Sequence, residues 1–308
     1  MVAQVHGAAR REGGPAVSGE ALLHWRRGLL RQGGEPAALD WLLDLEGGVG
    51  WQQLQQVRLH PDAMVGLKAP LEHLEALWQR HCSQREPLQY LVGQCPWRDL
   101  NLAVAPGVLI PRQETELLVD LALERWGRTG GPQGPRHWAD LGTGSGCLAV
   151  ALARAWPKGQ GSAVDQSADA LRQAGANLQA HGCGERVELL QGDWWQPLRQ
   201  RWGSLELVVA NPPYIPQQVW RDLDPVVRDH EPAIALVGGE DGLEALRAIA
   251  AGAQEALAPG GWLLLEHHHD QSDAVAVLLR EAGLLQVQAH PDLEGQRRFA
   301  SAQAAPRP

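Results

Sequence analysis

Asp140-Leu141-Gly142-Thr143-Gly144-Ser145-Gly146 is the stretch on which the reading of the fold turns. Its first two residues end a short strand-like run at 137–141, and it opens directly into a helical pattern at 148–156. Glycines at alternate positions let a backbone turn tightly and approach a ligand with no Cβ in the way. The N-terminus of the helix that follows offers free N–H groups to a carboxylate or phosphate. An ordinary strand-to-helix turn would use some of the same residues, so the loop needs company before it means anything.

That company lies downstream. Strand-like runs at 162–165, 187–191, 205–210, 262–266, 284–289 and 298–302 follow, with helical stretches at 168–180 and 243–257 among them. Alternation of this kind predicts an α/β domain, a parallel sheet with helices on both faces. Ligands in such sheets sit outside the carboxyl ends of the strands. The second strand ends in Asp165, placed to accept hydrogen bonds from ribose hydroxyls, which with the glycine loop points to an adenosine-containing cofactor. The loop spacing is G-x-G-x-G rather than the dinucleotide fingerprint G-x-G-x-x-G, which favours a methyltransferase over a nicotinamide enzyme. The third strand ends in Gly192-Asp193-Trp194, an acid and an indole suited to the amino group and the face of an adenine. The fourth ends in Asn211-Pro212-Pro213-Tyr214. Two prolines fix φ and donate no N–H, so the carbonyls of Asn211 and Pro212 are rigidly aimed acceptors. The Asn side chain adds an acceptor and a donor, and the Tyr a flat face and a hydroxyl. This set matches a planar –NH2 on a conjugated carbon. N-P and P-P also favour plain turns, and it is the three preceding strand ends that tip the balance.

The N-terminal part has a different character. Residues 1–17 read as a flexible tail rich in Gly and Ala, and 18–90 as a small helical bundle whose first segment Ser18 can cap. Residues 91–112 read as a hairpin connector, with Leu100, Leu102 and Val104 alternating, and 113–308 as the sheet domain. The net charge is −9, whereas a nucleic-acid binder needs basic surface to release counterions from phosphates; direct nucleic-acid binding is not expected. Four well-separated cysteines without a C-x-x-C spacing argue for a reducing cytoplasm, against a zinc knuckle and against a disulfide framework. No apolar run has the length of a membrane span, so no membrane partner is expected, and a monomer is the default expectation. Three adjacent histidines, His267 to His269, follow the strand that ends in Glu266; on an extended chain they alternate in direction and cannot all face one ion, so no metal is expected.

The order D-L-G-T-G-S-G, Asp165, Asp193-Trp194 and N-P-P-Y resembles the seven-stranded Rossmann-like methyltransferases that modify planar amino groups. Three further stretches resemble the protein-(glutamine-N5) methyltransferases that act on release factors. They are Arg85-Glu86-Pro87-Leu88-Gln89-Tyr90-Leu91-Val92-Gly93, Leu109-Ile110-Pro111-Arg112-Gln113-Glu114-Thr115-Glu116, and Val227-Arg228-Asp229-His230-Glu231-Pro232. The similarity runs from about residue 20 to 302, with one departure: Gln113 stands where the family pattern has Pro, a change that a surface turn can take. The resemblance implies S-adenosyl-L-methionine as cofactor, with Gly142, Thr143, Gly144, Ser145 and Gly146 at its methionine end, Asp165 on its ribose, Asp193 and Trp194 at its adenine, and Asn211 among the residues that bind it. It implies that Asn211, Pro212, Pro213 and Tyr214 bind the target glutamine, with Asn211, Pro212 and Tyr214 as catalytic residues. The implied partner is a class I peptide chain release factor, modified at its Gly-Gly-Gln tip and recognised by the N-terminal helices. A glutamine of a large-subunit ribosomal protein and the N6 of adenine in DNA are the alternative acceptors; the acidic charge speaks against the second.

Overall fold

The computed structural model describes residues 14–129 and 134–306. The chain divides into two compact units, Met1–Val92 and Gly93–Pro308. Most of the expected tail, residues 1–13, lies outside the described residues.

In the first unit, β1 (Ala16–Ser18) leads into α1 (Gly19–Gln32), α2 (Pro36–Leu45) and α3 (Trp51–Leu59); β2 (Met64–Gly66), α4 (Leu71–Gln84) and α5 (Leu88–Val92) complete it. The expectation of a flexible tail through residue 17 fails at its end, because Ala16–Ser18 pairs antiparallel with Met64–Gly66, Val17 opposite Val65. Ser18 caps α1, its hydroxyl accepting from the Ala21 N–H at 3.2 Å. Pro36 sits in the first turn of α2, where its missing N–H costs nothing. Leu22, Leu39, Leu42, Leu43, Leu74 and Trp78 are fully buried together and form the unit's own core.

The second unit opens with a hairpin, β3 (Gln94–Trp97) and β4 (Leu100–Ala103). It continues as α6 (Glu116–Thr129), β5 (His137–Leu141), α7 (Cys147–Ala155), β6 (Gln160–Asp165), α8 (Ala168–Ala180), β7 (Val187–Gln191) and β8 (Leu205–Ala210). The short α9 (Gln217–Trp220) and α10 (Pro225–Arg228) precede α11 (Glu244–Ala256), β9 (Leu257–Glu266), α12 (Ser272–Glu281), β10 (Leu285–Pro291) and β11 (Arg297–Gln303). The sheet has seven strands in the order β10-β11-β9-β8-β5-β6-β7. Strands β5 to β9 are parallel. The last two depart from the all-parallel expectation: β11 runs antiparallel to both β9 and β10. Only residues 292–296 join β10 to β11, far too few for the crossover that parallel neighbours need. One apolar core, with Trp138 and α7, fills one face of the sheet; a second, with α11 and α12, fills the other. Among the described residues no helix is long and apolar enough to cross a membrane.

Strand order reverses at β5, whose neighbours β8 and β6 lead away in opposite directions, so the crevice opens at the carboxyl end of β5. Close packing near the amino-terminal end of these strands has one demanding point. A Cβ at Gly161 on β6 would stand 2.3 Å from the Trp138 ring on β5. Gly161→Ala is therefore expected to destabilise the protein by about 3 kcal/mol, read as a lower urea midpoint; an unshifted midpoint would mean the indole can move aside.

Candidate active site

The glycine loop leaves β5 with Gly142, Gly144 and Gly146 all at positive φ (+73°, +55°, +81°), the region that favours glycine. The N–H groups of Gly142 and Thr143 both donate to the Val164 carbonyl at 2.9 Å, which ties the loop to β6. Asp165 reinforces the tie: Oδ2 accepts from the Gly144 N–H and Oδ1 from the Ser167 N–H, each at 2.9 Å. Burial raises the Asp165 pKa, against these N–H donors, which favour the charged form. Beneath the loop Asp140 is wholly buried, its Oδ2 accepting from the Thr143 hydroxyl at 2.7 Å; burial pushes this carboxyl up to about 7.

A cleft of about 650 Å³ lies over this loop, lined by Gly142, Gly144, Asp165, Gln166, Ser167, Asp193, Trp194, Asn211 and Pro213 among others. The structure thus brings Asp165, Asp193 and Trp194 to one cavity, but divides the five loop residues. Thr143 and Ser145 are buried and absent from the lining, and Gly146 faces away, where a Cβ would meet Ala174 of α8 at 3.0 Å. Trp194 itself has positive φ (+37°) and lies against Gly142, where a Cβ would stand 3.3 Å from its ring. Its neighbour Trp195 turns the other way, buried, with Nε1 donating to the Ile249 carbonyl at 2.9 Å.

A second hollow of about 600 Å³ is walled by Pro212, Tyr214, Ile215, Arg112, Leu223, Val227 and Leu236. The two hollows share Leu109, Asn211 and Ala235. Asn211 thus stands where a ligand in one meets a ligand in the other. Its Nδ2 donates to Thr115 Oγ1 at 2.9 Å; that hydroxyl donates to Glu266 Oε2 at 2.7 Å; and the Tyr214 hydroxyl donates to Glu266 Oε1 at 3.2 Å. Glu266 is 1% exposed, and burial pushes its carboxyl up to about 7, although both hydroxyls favour the charged form. Burial and the Glu266 charge together raise the Tyr214 phenol well above its ordinary value. Gln271 secures the exit of the turn, its Nε2 donating to the Tyr214 carbonyl at 2.9 Å. Across the hollow, buried Glu231 accepts from Arg112 Nη2 at 2.7 Å and from the Ile110 N–H at 3.1 Å, fastening two wall segments together. Gln113 is exposed, and its carbonyl accepts from the Glu116 N–H at 3.0 Å at the start of α6. Of the histidines, His267 is buried with Nδ1 on the His268 carbonyl, and His268 Nδ1 pairs with Asp270 at 2.6 Å.

The comparisons fit this geometry. The methyltransferase small domain model matches residues 123–224. A release factor glutamine methyltransferase of Prochlorococcus marinus is 50% identical over 285 residues, covering 92% of this chain and 97% of that protein. The chain belongs to the release factor glutamine methyltransferases. Another member of the family, from Synechocystis sp., is 39% identical over 93% of this chain and 97% of its own. The catalytic domain of hMettl16 superposes with a TM-score of 0.52 at 12% identity, over 76% of this chain and 80% of that one, a likeness of fold.

What the sequence reading did not assign are the residues that hold the site from behind. Thr115 and Glu231 appear there only inside family stretches, and Glu266 only as an acid at a strand end. Gly107 and Val108, which follow the hairpin and line the cleft, carry no motif at all. A buried acid at the carboxyl end of a central strand was the one available signal.

Proposed function

We propose that this enzyme transfers a methyl group from S-adenosyl-L-methionine to the side-chain amide nitrogen (N5) of the glutamine in the Gly-Gly-Gln tip of class I release factors. The observation that carries the reading is the place of Asn211, at the junction of the glycine-loop cleft and the hollow walled by Pro212 and Tyr214. The cleft fits the donor. Gly144 offers open space where a Cβ would stand, and Asp165 keeps spare lone pairs for ribose hydroxyls. Trp194 and Asp193 supply a face and an acceptor for the adenine.

When bound, S-adenosylmethionine supplies a methyl carbon made electrophilic by its positive sulfur. An amide nitrogen is a poor nucleophile because its lone pair is delocalised into the carbonyl. Acceptors on Asn211 and Pro212 take both N–H bonds and turn the nitrogen's remaining face toward the methyl. Positioning of this kind contributes up to ~7–11 kcal/mol. The proton left on the product nitrogen is strongly acidic, so no side chain needs to remove it beforehand. The apolar hollow beside Tyr214 admits a slim loop tip, and the N-terminal helical unit is the candidate for docking the rest of the factor.

Labelled methyl transfer tests the reading. The full chain should label an intact class I release factor and fail on one carrying Gln→Asn at the tip, because the shorter side chain stops short of the methyl. Faster labelling of a large-subunit ribosomal protein would move the acceptor and keep the chemistry; labelling of DNA or ribosomal RNA would overturn both. The donor site has its own check. Asp165→Ala should weaken S-adenosylmethionine binding about 10- to 100-fold by calorimetry, since it removes ribose contacts and the Gly144 anchor together. An unchanged dissociation constant would end the assignment.

A further inference from the structure

Asn211, Thr115 and Glu266 form a line of hydrogen bonds from the junction of the two hollows to the buried end of β9. The chemistry of the line gives it a direction. A carboxylate only accepts, so the single proton of the Thr115 hydroxyl is committed to Glu266 Oε2, at 2.7 Å. Thr115 Oγ1 is left with lone pairs alone, and it meets Asn211 Nδ2 at 2.9 Å. Turning the Asn211 amide over would set oxygen against oxygen. Its Oδ1 is therefore the end left free to accept. Water does not compete for this relay: Thr115 is 2% and Glu266 1% exposed. The Tyr214 hydroxyl engages the other carboxylate oxygen, so both arms of the N-P-P-Y turn are read by one group.

Resting on the reading that Asn211 receives the acceptor amide, we propose that Thr115 and Glu266 are positioning residues that set which end of the Asn211 amide faces the acceptor. The relay works in one protonation state. A proton on Oε2 would be donated to Thr115, whose own proton would then turn to Asn211; the amide would turn over and present N–H groups to the acceptor's N–H groups. Charged groups on two neighbouring segments act on this equilibrium. Glu114, before α6, favours the protonated form and Arg298 on β11 the charged one. Cys147 on α7, its thiol pushed up to about 12 by burial, is neutral, and burial lowers the pKa of the adjacent His267. The Glu266 carboxyl, pushed up to about 7 chiefly by burial, titrates in the range where the enzyme can be assayed.

The test uses the full chain with labelled S-adenosylmethionine and a release factor. Thr115→Val keeps the shape and removes the hydroxyl; kcat should fall about 10- to 100-fold while the donor dissociation constant stays within about twofold. Thr115→Ser, which restores the relay, should recover most of that loss. In the wild type, kcat should fall about tenfold per pH unit below about pH 7, a limb absent from Thr115→Val and Glu266→Gln. The Asn211 side-chain amide resonance should titrate with the same midpoint in the unliganded wild type and not in Thr115→Val. Unaltered kcat in Thr115→Val, or a loss confined to donor affinity, would overturn the proposal. So would failure of Thr115→Ser to recover turnover. Should Thr115→Val not fold, the serine variant and the pH profiles of wild type and Glu266→Gln decide. Should the wild type label no release factor, the acceptor reading falls, and the Asn211 resonance still decides the relay.

Discussion

Asn211→Ala is expected to lower kcat about 1,000-fold, ~4 kcal/mol of barrier, while the affinity for S-adenosylmethionine stays within about threefold. The asymmetry follows from where Asn211 stands. It touches the cleft at one edge only, among a lining that includes Gly142, Asp165 and Trp194, so the donor keeps most of its contacts. In the second hollow it is the polar side chain nearest the shared edge, alongside Leu109 and Ala235, which have no side-chain acceptor to offer. On the proposed assignment, an alanine there would leave the acceptor amide without its orienting partner and would remove the hydrogen bond to Thr115. Single-turnover labelling gives the chemical step and calorimetry the donor affinity. A variant that transferred methyl normally but bound donor poorly would move Asn211 to the cofactor's side of the site.

Legibility of the fold from the sequence varied with how local its cause is. The bounds of α8, β7 and β8 coincide with the sequence reading because their signals are short-range: a Ser167 cap before α8, and apolar or alternating runs closed by Gly192 and Asn211. The direction of β11 was not legible, since alternation of strands and helices says nothing about a hairpin appended at the end of a sheet. The strand Ala16–Ser18 was missed because its partner lies nearly fifty residues on and three residues show no period. At the site the contrast is sharper. Chemistry-bearing residues at strand ends could be picked out one by one, since the fold puts strand ends together. Gly146 was grouped with its neighbours although its reason is the approach of Ala174, a packing matter. Thr115 and Glu266 lie 151 residues apart, and no spacing rule connects them; only the folded sheet does.

That dependence on long-range closure makes the division of the chain itself testable. The first unit has its own buried core, including Leu22, Leu43 and Trp78, and the second has two, one on each face of its sheet. Every residue lining the cleft and the second hollow belongs to the second unit. A fragment starting at Gly93 is accordingly expected to fold, to melt cooperatively by circular dichroism and to bind S-adenosylmethionine with the affinity of the full chain. Its kcat/KM on an intact release factor should nonetheless fall about 100- to 10,000-fold. A docking unit raises the effective concentration of the tip at the site, and removing it forfeits a factor of that order. A short peptide carrying the Gly-Gly-Gln tip cannot use a remote docking surface, so its slow methylation should be about equal for fragment and full chain. This pair of substrates separates docking from chemistry. A folded fragment that methylated the whole factor at the full rate would remove the docking role from the N-terminal helices and place recognition within the second unit. Equal losses on factor and peptide would instead mean that the first unit supports the active site.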